Sequence, residues 1–153
     1  MKIGVIGAGA WGKNLVRNLS DLDVLAGVAD CFEPNRAFVS ELRQDIPVYD
    51  DHEDLLKAGL DAVAIATPAA THYPIAKQAM EAGMDVFVEK PMTLDAGEAR
   101  DLCDISKRCE RIIMVGHLLM FQPAIAFIRD YLTAGKLGPL RTMHQRRSKL
   151  GRA

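Results

Sequence analysis

Short apolar runs and amphipathic stretches alternate six times along the chain. The runs are rich in β-branched residues and too short for helices, so each predicts a buried strand; they cover 2–6, 24–29, 46–49, 61–66, 85–88 and 112–115. The stretches between them carry apolar residues at helical spacing, which predicts helices. Strict alternation of strand and helix favours an α/β fold, with a doubly wound parallel sheet of six strands and helices on both faces.

Particular residue types mark the ends of these predicted elements. The proline within 46–49 favours an edge strand or the start of a strand, because it cannot donate to a neighbouring strand. Asp50, Thr71 and Thr93 are predicted to cap three helices, since their side-chain oxygens can accept from free backbone N–H groups. A last helix is predicted over 123–134. Its apolar residues available for packing are Ile125, Phe127, Ile128 and Leu132.

The first strand runs directly into a G-x-G-x-x-G turn formed by Gly7, Gly9 and Gly12. In a dinucleotide site the first glycine permits the tight turn, the second lets the backbone approach the pyrophosphate, and the third allows close helix–strand packing. The following helix offers free N–H groups and a positive dipole end to phosphates. Asp30, at the end of the next strand, is placed to accept hydrogen bonds from a ribose diol. The alternative is that the glycines serve an ordinary strand–helix turn.

Further candidate residues follow the later strands, whose carboxyl ends meet in one crevice if the sheet is parallel. Thr67 and Pro68 follow the fourth strand and either line a cofactor channel or only end the strand. Glu89-Lys90-Pro91 follows the fifth. Lys90 either donates a hydrogen bond to a substrate oxygen or is a surface lysine paired with the neighbouring acid.

Two histidines lie near the same predicted edge. His117 follows the sixth strand and is predicted to orient substrate or cofactor, or to cap the turn at Phe121. His72 is expected in the first helical turn after Thr71, with contact to the cofactor as the alternative.

Composition and charge limit the range of functions. The 153 residues suffice for one domain with a core, and the net charge of -1 gives no electrostatic case for nucleic acid or a membrane surface. No run is long enough to span a bilayer. The acid-rich run 50–54 fits helix capping better than metal binding, because its spacing matches no common metal site. Three cysteines without a paired pattern favour a reducing compartment, so we expect a cytoplasmic protein.

The chain changes character after residue 138. The stretch 139–153 carries five Lys or Arg and no acid, and 140–147 predicts a single strand, which cannot form a sheet alone. The predicted division is a dinucleotide-binding domain over 1–138 and a basic tail over 139–153. The tail pairs with another chain, lacks order, or begins a further domain.

Taken in order, these motifs resemble the N-terminal half of the glucose–fructose oxidoreductase/inositol dehydrogenase family (Gfo/Idh/MocA). The resemblance rests on Gly7-Ala8-Gly9-Ala10-Trp11-Gly12, Asp30, Ala66-Thr67-Pro68, Thr71-His72 and, most specifically, Glu89-Lys90-Pro91. It implies a Rossmann-type fold and NAD(P)-dependent oxidoreductase activity on sugars, nucleotide-linked sugars, cyclitols and related compounds. It also implies a catalytic role for Lys90 at the substrate. The implied cofactor contacts are Gly7, Gly9, Ala10, Trp11, Gly12, Asp30, Thr67, Pro68, His72, Glu89 and Lys90.

Within that set, the resemblance assigns the glycines to the pyrophosphate, Asp30 to the adenosine ribose and Glu89 to the nicotinamide ribose. A carboxylate at position 30 would repel a 2′-phosphate, which favours NAD over NADP, although Arg36 could soften the repulsion. The expected partners are therefore a nicotinamide dinucleotide and a sugar-type substrate.

The resemblance further implies a second α/β domain that supplies most of the substrate pocket and a D-x-x-x-H pair for proton transfer. The sequence reaches only the first strand of such a domain. We therefore expect this chain to bind NAD with little or no turnover by itself. The competing hypothesis is a non-catalytic NAD(P)-binding sensor that forms a homo-oligomer through the strand predicted at 140–147.

Overall fold

A central parallel sheet organises residues 1–116. The computed structural model describes residues 1–144 and 146 of the chain. Its six strands are β1 (Ile3–Ile6), β2 (Leu25–Ala29), β3 (Val48–Tyr49), β4 (Ala62–Ile65), β5 (Asp85–Val88) and β6 (Ile113–Val115). They lie in the order β3–β2–β1–β4–β5–β6, and every neighbouring pair is parallel. This confirms the predicted doubly wound α/β fold and the edge position of the third strand.

Helices connect these strands and cover both faces of the sheet. They are α1 (Gly12–Asp21), α2 (Glu33–Leu42), α3 (His52–Leu56), α4 (His72–Glu81) and α5 (Ala96–Cys109). A sixth helix, α6 (Pro123–Thr133), belongs to the second compact unit of the chain. Successive strand residues enter opposite cores, as the alternating geometry of a strand requires. Val5 and Val28 pack with residues of α1 and α2. Ile6 and Ile65 pack with residues of α3, α4 and α5.

The short helix α3 is capped by Asp51 and not, as predicted, by Asp50. The backbone of Asp51 is extended, and its carboxylate accepts a hydrogen bond from the N–H of Glu53 at 2.9 Å. A capping oxygen has to come from the residue just before the first helical turn. Asp50 lies one position too early.

The predicted caps of α4 and α5 are also corrected. Thr71 already has a helical backbone, so its hydroxyl bonds the side chain of Thr67 and the carbonyl of Pro68 instead of capping α4. Thr93 donates to the carbonyl of Asp95. The carboxylate of Asp95 caps α5, accepting from two backbone N–H groups at 2.6 and 3.1 Å.

A second compact unit begins at His117. It contains a short 3₁₀ turn (Leu118–Phe121) and α6, and Gly135, with φ of +68°, follows the helix as expected. The apolar side chains of α6 are only partly covered. Phe127 and Ile128 are 68% and 42% exposed.

The strand predicted at 140–147 does not form over 140–144, which have no regular secondary structure. A strand needs a neighbour to pair with, and none of the described residues pairs with this segment. Residues 145 and 147 lie outside the described residues. The predicted domain boundary at 138/139 stays a prediction, while the compact units of the structure divide at 116/117.

None of the helices formed by the described residues combines the length and the apolar character that crossing a membrane requires.

Candidate functional site

The carboxyl ends of five neighbouring strands lie level at one edge of the sheet. Ile6 of β1 pairs with Ala29 of β2 and Ile65 of β4, and the register continues through β5 to β6. Backbone hydrogen bonds of 2.8 to 2.9 Å extend this ladder by one residue beyond the strands. The residues brought together in this way are Gly7, Ala66, Glu89 and Gly116, and Asp30 joins them through β2. The edge is also the switch point of the strand order, because β1 lies between β2 and β4.

The glycine turn has the geometry that its spacing predicts. Gly7 has φ of +90°, and a Cβ there would lie 2.9 Å from the carbonyl of Ala66. A Cβ on Gly12 would lie 1.9 Å from the carbonyl oxygen of Gly7. A Cβ on Gly9 would meet nothing within 4 Å. Gly7 and Gly12 thus allow close packing of the turn. The backbone of Gly9 stays open on the side where a side chain would project.

Asp30 holds the glycine turn from the neighbouring strand. Its Oδ2 accepts from the backbone N–H of Ala8 at 2.6 Å and from the amide of Asn35 at 3.0 Å. Its Oδ1 accepts from the N–H of Phe32 at 2.8 Å. The carboxylate is half-buried. It is therefore fixed in orientation beside the turn, at the place predicted for a ribose contact.

Arg36 lies beside the same acid but does not pair with its carboxylate. Its Nη1 donates to the backbone carbonyl of Asp30 at 2.8 Å. The guanidinium is thus held near the predicted ribose position by a main-chain contact. A cation fixed there reduces the repulsion that the carboxylate would exert on a second negative group.

A pocket of about 650 Å³ opens next to the glycine turn. It lies entirely within the first compact unit, and Thr67 and Pro68 form part of its wall. Their contact with a cofactor stays a prediction. The sequence analysis missed Cys31, Asp51 and His52 as wall residues. The full lining is Ile6, Gly7, Gly9, Ala29, Asp30, Cys31, Asn35, Asp50, Asp51, His52, Ala66, Thr67, Pro68, Thr71 and Ile75.

Two of the four acids of 50–54 have structural partners of their own. Asp51 caps α3 and lies 3.2 Å from the ring of His52, and Asp54 pairs with Lys57. Among the described residues, no three His, Cys, Asp or Glu side chains are grouped closely enough to hold a metal ion.

Glu89 connects the end of β5 to the glycine turn. It is only 7% exposed, and its carboxylate accepts from the indole N–H of Trp11 and, at 3.2 Å, from the backbone N–H of Lys90. A Cβ on Gly116 would lie 2.9 Å from Oε1 of Glu89. The absence of a side chain at Gly116 therefore leaves space for the carboxylate of Glu89. The sequence carried no signal for the contacts of Glu89 with Trp11 and Gly116, because these residues are far from Glu89 along the chain.

Lys90 is exposed at the carboxyl end of β5, and the Lys90–Pro91 peptide bond is cis. The alternative pairing with Glu89 is not found. The carboxylate of Glu89 accepts from Trp11 and from the backbone of Lys90, and the ion pairs of the described residues do not include the Lys90 ammonium. The ammonium is therefore available to a molecule that enters this edge of the sheet.

His72 lies under the pocket wall and not on its surface. The side chain is 1% exposed, and its two ring nitrogens contact the backbone carbonyls of Thr67 and Pro91. Its predicted place in the first turn of α4 is confirmed. A direct contact with cofactor stays a prediction.

His117 is the first residue of the second compact unit and is exposed. Its backbone carbonyl accepts from the N–H of Met120, but its side chain does not cap the turn that ends at Phe121. The proposed role at substrate or cofactor remains a prediction.

Comparison with known proteins supports this interpretation of the site. The model of the Gfo/Idh/MocA oxidoreductase family, described by its NAD-binding Rossmann fold, matches residues 1–117. The UDP-N-acetylglucosamine 3-dehydrogenase of Acidithiobacillus ferrooxidans is 34% identical over 149 residues, which cover 92% of this chain and 47% of that protein. The inositol 2-dehydrogenase of Corynebacterium glutamicum is 29% identical over 145 residues, covering 92% and 43%.

Among solved structures, the scyllo-inositol dehydrogenase of Lactobacillus casei with bound NAD(H) and scyllo-inositol superimposes with a TM-score of 0.83 at 23% identity. The match covers 90% of this chain and 42% of that one, and it shows a shared fold. The chain spans a little under half the length of the curated relatives it matches.

Proposed function

The chain belongs to the Gfo/Idh/MocA oxidoreductase family and carries its NAD-binding Rossmann domain, and on that premise we propose which reaction it serves. We propose that it is the dinucleotide-binding part of an oxidoreductase acting on a hydroxyl group of a sugar, nucleotide sugar or cyclitol. The observation that supports this most directly is the glycine turn, open above Gly9 and held by the fixed carboxylate of Asp30. Relatives named for UDP-N-acetylglucosamine and inositol suggest the substrate class.

The residues present fit a nicotinamide dinucleotide. The open side of Gly9 leaves room for a pyrophosphate against backbone N–H groups at the start of α1, where the helix dipole favours negative charge. Asp30 would accept a ribose hydroxyl, while Thr67 and Pro68 would line the dinucleotide. When bound, NAD supplies the acceptor of a hydride, and the protein contributes binding, orientation and electrostatics.

Lys90 is the residue that we assign to the substrate. Its ammonium carries three donors and has no carboxylate partner within ion-pair distance among the described residues. It can donate a hydrogen bond to a substrate oxygen and stabilise negative charge that develops there. Glu89 beside it would orient the nicotinamide ribose while it keeps Trp11 in place.

We infer NAD in preference to NADP. A 2′-phosphate near Asp30 would meet a carboxylate, and two like charges about 4 Å apart near a protein surface repel by about 4 kcal/mol. Arg36 offsets part of this repulsion, because its guanidinium is bonded to the carbonyl of the same residue. The preference is therefore expected to be clear but not absolute.

By itself the chain is expected to bind NAD with little or no turnover. Hydride transfer requires the substrate carbon to be held accurately against the cofactor, and a misplacement of about 1 Å costs about 100-fold in rate. Lys90 alone, exposed at the edge of the sheet, cannot fix a polyhydroxylated substrate in one orientation.

Trp11 provides a direct test of cofactor binding. It is the only tryptophan, lies in the glycine turn and is 44% exposed. Titration with NADH and then with NADPH should quench its fluorescence saturably, with NADH binding more tightly. The Gly9→Ala variant is the matched control, since it retains Trp11 and should require at least about ten times more NADH for the same quenching. A folded protein that shows no response to either dinucleotide would refute cofactor binding.

The turnover claim needs a separate assay. The purified chain is incubated with NAD and, in turn, an inositol, a free hexose or a UDP-sugar, and the absorbance of NADH is followed. We expect rates at background. Sustained turnover that Lys90→Ala abolishes would contradict the claim that this chain is catalytically incomplete, while supporting the assignment of the lysine.

A further inference from the structure

His72 is a buried titratable residue to which the proposed function gives no task. It is the first residue of α4 and is 1% exposed. Its Nδ1 lies 2.8 Å from the carbonyl oxygen of Pro91, and its Nε2 lies 2.9 Å from the carbonyl oxygen of Thr67. Both distances are those of ordinary hydrogen bonds.

The ring nitrogens of His72 face one backbone acceptor each. A carbonyl oxygen can only accept a hydrogen bond, and both oxygens lie less than 3 Å from the ring. Because the side chain is buried, water does not compete for these two contacts. Loss of the ring would leave the carbonyls of Thr67 and Pro91 without this partner.

The two carbonyls belong to loops with different predicted tasks. Thr67 lies in the wall of the dinucleotide pocket, and Pro91 directly follows Lys90. We propose that His72 is a positioning residue whose ring joins the turn after β4 to the loop after β5. The ring thereby fixes the wall of the cofactor pocket relative to the lysine that we assign to the substrate. The part of this inference that concerns cofactor and substrate rests on the proposed function.

Proton NMR of the imidazole rings tests the two backbone contacts without any ligand. We expect the N–H of the His72 ring to be protected from exchange with water, whereas the ring of the exposed His144 exchanges rapidly and serves as the internal reference. Rapid exchange at His72 would overturn the inference. This measurement needs only the wild-type chain, so it decides the question even where a variant fails to fold.

Substitutions test the positioning role. His72→Gln retains one donor group, and His72→Phe keeps a ring of similar size with none. We expect the backbone amide signals of Thr67 and Lys90 to shift together in both variants. The dissociation constant for NADH should rise about 10-fold for Gln and more for Phe, as expected when the two loop carbonyls lose their hydrogen-bond partner. His144→Gln is the control and should change neither quantity.

The outcomes separate the two claims. Wild-type affinity in a folded His72→Phe variant, or a shift at only one of the two loops, would overturn the positioning role. Failure of the wild-type chain to bind NADH would overturn the proposed function alone, because the exchange of the ring proton and the linked amide shifts are read without cofactor.

Discussion

Replacement of Gly9 by alanine separates the fold from cofactor binding. A Cβ at this position meets no atom of the protein within 4 Å, and the φ of Gly9 lies outside the left-handed region. The free energy of unfolding should therefore change by no more than about 0.5 kcal/mol, as for a neutral surface substitution. If the pyrophosphate lies over this backbone, however, the new methyl group occupies its place.

The magnitude of the binding loss follows from the contacts at stake. Hydrogen bonds from backbone N–H groups to a charged acceptor contribute about 1.5–3 kcal/mol each. Removing one such bond weakens binding by about 10- to 150-fold. We therefore expect the dissociation constant of the Gly9→Ala variant for NADH to rise by at least an order of magnitude.

Gly12→Ala is the matched comparison, because it places the same methyl group three residues further on. Its Cβ would lie 1.9 Å from the carbonyl oxygen of Gly7, and no side-chain rotation relieves a clash with backbone. Overpacking typically costs about 1–3 kcal/mol, and this case should reach the upper end or exceed it. At about 2–4 °C per kcal/mol for a chain of this size, Tm should fall by about 6–12 °C.

Two assays suffice for the pair. Thermal unfolding followed by circular dichroism measures stability, and isothermal titration with NADH measures affinity without reliance on Trp11. We expect a stable Gly9 variant that binds NADH at least about ten-fold more weakly and an unstable Gly12 variant. Undiminished NADH affinity in the Gly9→Ala variant would show that the pyrophosphate does not lie over the turn, and an unchanged Tm for Gly12→Ala would contradict the geometry of the turn.

Three further substitutions test the surroundings of the site and one exposed ion pair. Asp30→Asn should weaken NADH binding by about 10- to 100-fold through loss of a charged acceptor, and NADPH binding by less; an unchanged ratio of the two affinities in calorimetric titrations would contradict the charge argument. Gly116→Ala should lower Tm by about 2–10 °C, since its methyl group would crowd Glu89; a wild-type melting curve would refute this. The hydrogen bond from the Arg43 guanidinium lowers the pKa of Asp45 to about 2. The contribution of this ion pair to the free energy of unfolding is therefore fully present above the unfolded-state pKa of Asp45, and it disappears as pH falls through about 2. In urea titrations the stability gap between wild type and Arg43→Met should therefore narrow as pH falls from about 5 to about 2, and a gap independent of pH would count against this pair.

The sheet and the glycine turn were predictable because their signals are local. The run 86–88 is short and apolar and lies between Asp85 and Glu89, and the structure forms β5 over Asp85–Val88. Pro47 indicated an edge strand or a strand start, because proline cannot donate to a neighbour, and β3 is an edge strand that begins directly after this proline. The level strand ends followed in turn from the parallel arrangement, which brought Asp30 to the glycine turn.

Helix caps were less predictable because several oxygens compete for the same N–H groups. Asp50 and Asp51 are identical in chemistry, and only the backbone angles decide which one reaches the N–H of Glu53. Thr93 and Asp95 compete in the same way at α5. Periodicity locates a helix to within a residue or two, and this uncertainty is as large as the distance between the competing caps.

Contacts between distant parts of the chain left no trace in the sequence pattern. The indole of Trp11 and the carboxylate of Glu89 are separated by 78 residues and meet only once β1 and β5 lie in the same sheet.

The strand predicted at 140–147 shows that a local pattern is not sufficient for a strand. Its residues have strand character, but strand structure requires a partner, and residues 140–144 have none among the described part of the chain.

The glycine turn is held at two points by acids that are themselves predicted to contact the cofactor. Asp30 bonds the N–H of Ala8, and Glu89 bonds the indole of Trp11. A carboxylate offers about four acceptor positions, and the three donors on Asp30 leave one, on Oδ1. A ribose hydroxyl can therefore be bound without breaking any bond that supports the turn. Because both acids are oriented before the ligand arrives, binding need not order them, which removes an entropic cost that flexible side chains would incur.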